Sequence, residues 1–307
     1  MICKSSSNIL FSTVIATIGR PTLARAVESI LSQDSPVNFE VIVVNDSGHS
    51  LSVEDWHRSE QVTILNTNRR ERCVARNAGA AIARGTYLHF LDDDDWMLPG
   101  ALKELWAVAR TSNASLIYGT SRMVDKDGKL LAEHHIGVDG NAFVQVMAGE
   151  LIPIQSSLIE SACFFEVGGF DPRLVGAEDW DICRRVALRI DVVSTRFPVA
   201  CIVLDRKNST TNYGYSTALS IWSRDNILDE KGSFTRMWAS ARTPYWRGRL
   251  VRTYLTCIAW NLSKRKILKA LSRTSEAAAG FILSATNMTS LAFWHALFRY
   301  HHSKVNG

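Results

Sequence analysis

Four consecutive carboxylates follow an apolar segment in the middle of the chain. Tyr-Leu-His-Phe-Leu at 87–91 runs directly into Asp92, Asp93, Asp94 and Asp95. Neighbouring anions repel one another, and folding alone does not require them. Hard divalent cations such as Mg²⁺ and Mn²⁺ take oxygen ligands, usually one or two carboxylates together with substrate phosphates. The run therefore indicates a metal–phosphate site, with an acidic, solvated turn as the alternative.

A second acidic pair, Glu178 and Asp179, follows Gly176 and opens a predicted helix. A carboxylate in a dry pocket, with its pKa raised by burial or by a like charge, suits a general base that takes a proton from a hydroxyl. The alternative is that the pair caps the helix and favours its positive end. Trp180, the next residue, either lines a pocket or belongs to the core.

The elements around these residues predict a parallel sheet. Apolar, β-branched runs at 9–17, 40–46, 62–65 and 87–91 are typical of buried strands. Helical patterns at 22–33 and after residue 72 separate them. Strands that alternate with helices are typical of a parallel sheet covered on both faces. Thr22 is the expected N-cap of the first helix. The second helix is expected to turn the following residues inward: Val74, Ala78, Ala81 and Ile82.

Several polar side chains stand where these predicted strands end. They are Thr17, Arg20, Asp46 and the acidic run from Asp92 to Asp95. In sheets of this kind, ligands bind beyond the carboxyl ends of the strands. The sequence therefore predicts that these side chains share one crevice.

Five motifs occur in the order typical of one family. They are Thr17-Ile-Gly-Arg-Pro21, Val43-Val-Asn-Asp46, Ala75-Arg-Asn-Ala-Gly79, Phe90-Leu-Asp-Asp-Asp-Asp95, and Gly168-Gly-Phe-Asp171 followed by Glu178-Asp-Trp180. Together they resemble the family 2 glycosyltransferases of the GT-A fold over residues 8–205, about two thirds of the chain. The resemblance implies an α/β fold with a Rossmann-like, mostly parallel sheet flanked by helices, followed here by a helical C-terminal extension.

The resemblance also implies roles for the donor side. The loop with Thr17, Arg20 and Pro21 would contact the nucleoside of a nucleotide-sugar donor, and Asp46 would hold its base. Arg76, Asn77 and Gly79 would pack beneath the donor. The three arginines of the next loop could contact phosphate or form a solvated basic loop: Arg69, Arg70 and Arg72.

Further roles concern the metal and the chemistry. Asp92 and Asp94 would form the DXD pair, Asp92 toward the ribose and Asp94 on Mn²⁺ or Mg²⁺. Asp93 would assist donor binding, and Asp95 would be a helper without a separate role. A divalent ion neutralises the charge that grows on a diphosphate leaving group. The assignment of Asp179 as the base, with Glu178 beside it, also follows from the resemblance. Trp180 is placed on the acceptor side, with a core position as the alternative.

We expect a catalytic domain over 1–216, with a nucleotide-sugar half at about 8–97 and an acceptor half at about 98–216. Residues 217–307 would form a helical extension, basic and rich in aromatics, whose composition favours peripheral contact with an anionic membrane. The uncharged stretch 277–298 is long enough to span a bilayer but contains many polar residues, so a packed or interfacial helix is expected.

The predicted activity is that of an inverting, metal-dependent glycosyltransferase. It would move a sugar from a nucleoside diphosphate, expected to be UDP, to a hydroxyl of a glycan or lipid-linked acceptor in surface polysaccharide or glycolipid assembly. The alternatives are a nucleotidyltransferase, although its usual Gly-rich first loop with a lysine is missing, and a non-catalytic sugar-nucleotide or glycan-binding module. The net charge of +5 brings no nucleic-acid motif with it, so no nucleic-acid partner is expected.

Two features differ from the family pattern. The segment Leu204–Thr211 has no histidine where many members carry a metal ligand, so Asp205 or water would complete the metal shell. The glutamine-arginine-tryptophan signature of processive synthases is missing too, which favours one sugar per encounter.

The six cysteines are scattered along the chain, which suits free thiols. Without an evident signal peptide, we expect a cytoplasmic protein, either free or peripheral on the cytoplasmic face of the membrane.

Overall fold

A computed structural model describes residues 10–68, 70–112, 114–204 and 213–298 of the 307-residue chain. Within these ranges, one nine-stranded sheet lies between layers of helices, and a group of helices follows it in the chain. The strands are β1 Phe11–Thr17, β2 Phe39–Asn45, β3 Val62–Asn66, β4 Tyr87–Asp92, β5 Trp96–Met97, β6 Leu116–Val124, β7 Leu130–His134, β8 Ser157–Glu160 and β9 Val192–Val203.

The helices occupy both faces of the sheet and most of the C-terminal region. They are α1 Leu23–Leu31, α2 Arg72–Ile82, α3 Ala101–Ser112, α4 Phe143–Ala148, α5 Ser161–Glu166, α6 Glu178–Arg189, α7 Tyr213–Ile227, α8 Ser233–Ser240, α9 Pro244–Ser263, α10 Ile267–Leu283 and α11 Leu291–Phe298. Short 3-10 turns lie at Asp55–Arg58, Ile154–Ser156 and Ala285–Asn287. The strands and helices predicted for the first hundred residues are confirmed, with small shifts of their ends.

The first four strands bring the predicted site residues to one edge of the sheet. The strand order is β3-β2-β1-β4-β8-β6-β9-β5, with β7 paired to β6. β1 is parallel to β2 and β4, and Ala16 stands opposite Val44 on one side and Asp92 on the other. Because parallel strands in register end together, Thr17, Asp46 and Asp92 emerge side by side.

The second half of the sheet is mixed. β8 runs antiparallel between β4 and β6, whereas the long β6–β9 ladder is parallel, so most paired residues still lie in parallel ladders. β6 and β7 form an antiparallel hairpin. Asp125 Oδ1 accepts hydrogen bonds from the amides of Asp127 and Lys129, which closes the turn. The predicted class, a mostly parallel α/β sheet with flanking helices, is confirmed.

Both faces of the central strands are buried. Along β1, Val14 belongs to the cluster on one face and Ile15 to the cluster on the other, and both are fully buried. Successive strand side chains point to opposite faces, so a strand covered on both sides must be apolar at every position. This is why the predicted strands are continuous apolar runs and do not alternate with polar residues.

The phase of α2 differs from the expectation. The predicted inward face is wrong, because Ala81 and Ile82 are exposed and Val74 and Ala78 are only partly buried. Glu71 caps the helix through the amides of Cys73 and Val74, and Gly79 faces the sheet. A Cβ on Gly79 would lie 2.5 Å from Val14 Cγ1. The face that packs closely is therefore the face of small residues: Cys73, Ala75, Gly79 and Ala80, together with Arg76.

Thr22 does not act as the predicted side-chain cap of α1. It occupies the N-cap position, but its backbone is helical and its side chain accepts no capping hydrogen bond. Its buried hydroxyl oxygen has no hydrogen-bond partner within the described structure. α1 is held by its apolar face instead, since Leu23, Ala26, Val27 and Ile30 are buried.

The helices after residue 213 share a core with the sheet layer. The cluster that contains Val14 extends to Tyr254 on α9 and Phe293 on α11. Gly248 permits the close approach of α9 to α11, because a Cβ there would lie 2.3 Å from the Phe293 carbonyl oxygen. Asp225 on α7 receives Arg273 of α10 at 2.9 Å in a buried ion pair. Apolar packing and buried charge pairs together fix these helices.

The stretch 277–298 consists of α10, a 3-10 turn and α11, and not of one helix. The chain leaves α10 at Leu283, and Phe293, Ala296 and Leu297 of α11 are buried. Among the described helices, none combines the length and apolar character that crossing a membrane requires. Part of this stretch is therefore packed inside the protein, whereas interfacial contact with a membrane stays a prediction.

Part of the basic charge in the C-terminal region is used inside the protein. Lys269 pairs with Asp225 at 2.9 Å and with Asp229 at 2.7 Å. Arg247 donates to the Leu283 carbonyl at 2.9 Å. These contacts join helices to one another, so they do not contribute to a free basic surface. Contact with an anionic membrane therefore stays a prediction.

Candidate active site

The acidic run forms a tight turn that separates its four carboxylates into two groups. The amide of Asp95 donates to the carbonyl of Asp92 at 3.1 Å. Oxygens of Asp92, Asp94 and Asp95 lie within 4.8 Å of one another. Asp93 points elsewhere and accepts hydrogen bonds from the Thr17 hydroxyl at 2.6 Å and Arg20 at 2.6 Å. Three of the four carboxylates can thus reach one ion.

The group of three carries more negative charge than its surroundings neutralise. Burial, then the charge of Asp92, raises the pKa of Asp94. Burial and the same neighbours raise the pKa of Asp95 well above its ordinary value. At Asp92, burial alone would raise the pKa, but the charge and hydrogen bond of Arg76, the charge of Arg72 and the hydrogen bond of Gln155 together lower it. Oxygen ligands with excess negative charge fit a hard divalent cation.

Arg76 joins this group to the second acidic pair. Its guanidinium is almost fully buried, and it lies 2.5 Å from Asp92 and 3.3 Å from both Glu178 and Asp179. Arg72, one turn earlier on α2, also pairs with Glu178 at 3.3 Å. Two motifs that are 80 to 90 residues apart in the chain therefore share one cleft.

Glu178 and Asp179 do not cap α6 through their side chains. The N-cap is Ala177, without a side-chain capping bond. Glu178 is buried and also accepts a hydrogen bond from the Gly176 amide, whereas the Asp179 side chain keeps 24% of its surface exposed. Burial raises the pKa of Asp179 to about 7, against the charge of Arg76 and with the help of Glu178 and Asp92. Asp179 can therefore exchange a proton near neutral pH.

A small cavity of about 100 Å³ opens beside this pair. Its lining consists of Arg72 and residues 176–180. Trp180 is half-buried, and the Arg184 guanidinium lies 5.6 Å from the centroid of its ring. Trp180 therefore lines the opening and is not part of the deep core.

Asp46 lies at the end of β2 with both carboxylate oxygens engaged. Oδ1 accepts from the Thr67 hydroxyl at 2.6 Å, and Oδ2 accepts from the Glu71 amide at 2.6 Å. These bonds hold the loop between β3 and α2, which places Arg72 and Arg76. The predicted contact of Asp46 with a base would add to this role in shaping the cleft.

The other predicted donor-side residues shape the same rim. Thr17 also accepts from the Gly19 amide at 2.9 Å, which orders the loop before Pro21. Pro21 is exposed at the mouth of the cleft beside Arg20, which also reaches Asp94 at 3.2 Å. Asn77 exchanges two hydrogen bonds with the backbone of Phe170 and thereby ties α2 to the loop that leads to α6.

The structure adds a residue that the sequence analysis did not identify. Gln155, in the turn before β8, donates from Nε2 to Asp92 Oδ2 at 3.0 Å. Its carbonyl lies 2.9 Å from Nε2 of the fully buried His89, whose Nδ1 lies 3.2 Å from the Thr13 hydroxyl. His89 is therefore structural, as its position in a strand predicts. No local pattern distinguishes Gln155, because its partner is 63 residues away.

The predicted phosphate-binding arginines have different surroundings. Arg72 is paired with Glu178, and Arg70 donates to the Ser47 carbonyl at 3.5 Å. Arg69 and Asp205, the predicted substitute metal ligand, lie outside the described residues. Within the described residues, five cysteines are buried and free, as expected: Cys73, Cys163, Cys183, Cys201 and Cys257.

The sequence of this chain is similar to those of known glycosyltransferases. Residues 12–161 match the model of Glycosyl transferase family 2. An uncharacterized glycosyltransferase of Haemophilus influenzae is 26% identical over 56% of this chain and 60% of its own length, so the match spans less than two thirds of that relative. The amylovoran biosynthesis glycosyltransferase AmsB of Erwinia amylovora is 24% identical over 80% of this chain and 82% of its own.

The fold comparison agrees with the sequence matches. The structure of S. aureus TarS 1–349 in complex with UDP-GlcNAc superimposes with a TM-score of 0.56 at 14% identity, covering 89% of each chain. At this identity the likeness concerns the fold alone. The sequence matches also relate the chain to polysaccharide biosynthesis enzymes. Residues 12–161 are a glycosyl transferase family 2 domain, which assigns this part of the chain to the glycosyltransferases.

Proposed function

We propose that the protein transfers a sugar, with inversion and with the help of Mn²⁺ or Mg²⁺, from a nucleoside diphosphate to an acceptor hydroxyl in polysaccharide or glycolipid assembly. The observation that carries this proposal is the position of Arg76 between Asp92 and Asp179. Arg76 contacts Asp92 of the acidic turn on one side and Asp179, whose pKa is raised, on the other. Inverting transfer needs this separation, because the base must act opposite the leaving group.

Asp92, Asp94 and Asp95 would hold the metal, since their oxygens converge within 4.8 Å. The bound ion would act as a Lewis acid on the diphosphate and orient the donor. Arg20, about 38% exposed and already beside Asp94, could follow the diphosphate as it moves. Asp93 and Thr17 would keep Arg20 and the first loop in place.

Asp179 would take the proton of the acceptor hydroxyl. As the acceptor oxygen forms its bond to the anomeric carbon, the bond from that carbon to the diphosphate oxygen breaks, and the nucleoside diphosphate leaves with both electrons. A base with a pKa near the working pH is effective, because it is deprotonated before the reaction and accepts the proton during it. Glu178 and Arg76 would position Asp179 and set its charge.

The similarity to TarS in complex with UDP-GlcNAc favours a UDP-linked donor. The relation to AmsB favours an acceptor in surface polysaccharide assembly. Thr17, Pro21 and Asp46 surround the space at the ends of β1 and β2, where a nucleoside would lie. Trp180, at the opening beside Asp179, would face the acceptor.

A thermal-shift screen with UDP, GDP, ADP and CDP, each with and without Mn²⁺, tests this proposal. A ligand that binds only the folded state raises its melting temperature. We expect a rise with UDP that requires Mn²⁺ and that Asp94→Asn abolishes. Asp127→Asn, in the exposed hairpin turn, is the matched control and should keep the full rise. If no nucleotide raises the melting temperature of the native protein, or if the rise is independent of Asp94, the proposal is wrong.

A further inference from the structure

A cluster of three arginines lies beside Trp180. Arg184 comes from α6, Arg224 from α7 and Arg249 from α9. The Arg184 guanidinium is fully buried over the Trp180 ring. The three residues, called the arginine cluster below, come from helices on both sides of residue 216.

Two members of the arginine cluster, Arg224 and Arg249, approach Gly149 beside the edge of Trp180. A Cβ on Gly149 would lie 3.9 Å from Arg249 Nη2, 3.9 Å from Trp180 Cζ3 and 4.0 Å from Arg224 Nη2. Gly149 ends α4 with a φ of 110°, a conformation that glycine adopts readily, and it is itself only partly buried. Two guanidinium groups and the edge of an indole ring therefore meet at Gly149, and Trp180 is the sequence neighbour of Asp179.

The hydrogen bonds of the buried arginines go to neutral groups. Arg184 donates to the Ser220 carbonyl at 2.8 Å and to the Ser220 hydroxyl at 2.8 Å. Arg249 donates to the Ala148 carbonyl and to the Tyr245 hydroxyl. In the described ranges, neither Arg184 nor Arg249 has a carboxylate within ion-pair distance. Buried guanidinium groups stay charged, and a buried charge is costly unless an opposite charge compensates it.

The nearest carboxylate does not supply this compensation. Asp181 acts on Arg184 from a distance, but it is itself paired with Arg185 at 2.5 Å and accepts a hydrogen bond from Ser223 at 2.6 Å. Burial, and then the like charge of Arg224, lowers the pKa of Arg184. Arg184 thus lies close to a like charge, and an incoming anion would stabilise the guanidinium groups of Arg184 and Arg249.

We propose that the arginine cluster binds a phosphate group of the acceptor, next to the hydroxyl that receives the sugar. Guanidinium groups bind phosphate through paired, charge-assisted hydrogen bonds. The half-buried Trp180 would lie between this phosphate and Asp179 and carry the intervening part of the acceptor. This inference rests on the proposed function, and it defines the acceptor as a phosphate-bearing molecule, either a polymer or a lipid.

Binding measurements with the full chain separate the two sources of phosphate. The probes are soluble poly(glycerol phosphate), phosphatidylcholine vesicles with and without a polyprenyl monophosphate, and neutral dextran. The variants are Arg224→Gln and Arg249→Gln, with the exposed Arg242→Gln as the control of equal charge. Arg224 is only partly buried, so its variant is expected to fold, and a melting curve checks each variant.

We expect the native protein to bind one phosphate-bearing probe, and not dextran or plain vesicles. Each cluster variant should lose about tenfold in affinity, because a hydrogen bond to a charged group is lost. Arg242→Gln should lose little. If neither phosphate probe binds, or if all three variants bind equally, the inference is overturned. UDP binding with Mn²⁺, measured in parallel, separates this failure from a failure of the proposed function, because the donor side does not involve the cluster.

Discussion

Asp92 and Asp179 are held by the same guanidinium, since Arg76 lies 2.5 Å from one and 3.3 Å from the other. Arg76 is almost fully buried, and a third carboxylate, that of Glu178, lies at 3.3 Å. One buried cation therefore balances three carboxylates, of which Glu178 is buried and the other two are partly exposed. This arrangement fixes the distance between the acidic turn and α6, and both the stability and the chemistry of the cleft should depend on it.

Replacement of Arg76 should destabilise the protein strongly. In Arg76→Met, the partly buried charge of Asp92 would lose its guanidinium partner, and the buried charge of Glu178 would keep Arg72 but lose Arg76. The loss of one member of a buried ion pair typically costs about 3–5 kcal/mol. Equilibrium urea unfolding at neutral pH measures this loss. Arg110→Met, on the exposed side of α3, is the control and should change the free energy of unfolding by less than about 0.5 kcal/mol. Equal, small effects of both substitutions would show that Arg76 is not the centre of the cleft.

The rate of transfer should rise with pH around neutrality. Asp179 acts as a base only when it is deprotonated, and its pKa is raised to about 7. Below this pH the carboxyl is protonated and kcat/KM should fall about tenfold per pH unit, while above it the rate should level off. A pH profile of transfer from UDP-sugar with saturating Mn²⁺ measures this dependence.

The variant Asp179→Asn should lack this dependence of kcat/KM on pH. Asp179→Asn cannot accept the proton, so we expect a loss of about 10²–10⁴-fold in kcat with binding of UDP retained. The surface variant Asp127→Asn should keep both the rate and the profile. A native profile that is flat from acid to neutral pH, or an Asp179→Asn enzyme with full turnover, would remove Asp179 from its proposed role.

Gln155 should act on the metal through Asp92. Its amide donates to Asp92 Oδ2 at 3.0 Å, so Gln155→Leu would release one oxygen of a proposed ligand. Loss of a group that orients a metal ligand typically weakens metal affinity about 10–100-fold. Titration of the protein with Mn²⁺, followed by electron paramagnetic resonance, measures the affinity. Gln61→Leu, at an exposed position, serves as the comparison and should bind Mn²⁺ as the native protein does.

A role of Gln155 in positioning Asp92 and a merely structural role predict different results. A merely structural role would lower the melting temperature of Gln155→Leu and leave its Mn²⁺ affinity unchanged. Gln155→Glu adds a carboxylate at the same place and is expected to change the affinity in the opposite direction. Native affinity in both variants would contradict the positioning role.

The close contact between α9 and α11 should not tolerate a larger residue at position 248. In Gly248→Ala, the new Cβ would lie 2.3 Å from a backbone oxygen, so one helix must move, at a typical cost of about 1–3 kcal/mol. At Gly280, the nearest atom to a new Cβ is Leu250 Cδ2 at 2.8 Å, and a side-chain end can move. Gly280→Ala should therefore cost less, and chemical unfolding of the two variants compares them. Equal stability of Gly248→Ala and Gly280→Ala would show that α9 and α11 do not pack closely at Gly248.

Some properties of this protein follow from its sequence alone, because their causes are local. Continuous apolar runs such as Phe11–Thr17 predict strands buried on both faces, and the motifs around Asp46 and Asp92 predict the edge at which these strands end. Since a parallel ladder in register aligns strand ends, position in the sequence is sufficient to place Thr17 and Asp92 together. The family resemblance and the acidic turn are likewise predicted from short motifs, whose residues are neighbours in the sequence.

Other properties depend on contacts between residues distant in the chain. The phase of α2 is decided by Gly79 against β1, and the environment of Asp179 is decided by Arg76, 103 residues earlier. The basic residues of the C-terminal helices show the same dependence, because the sequence gives their charge but only packing separates an internal ion pair such as Arg273–Asp225 from the arginine cluster at Gly149. Burial and the nearest opposite charge determine what an ionisable group can do, and both are properties of the tertiary structure.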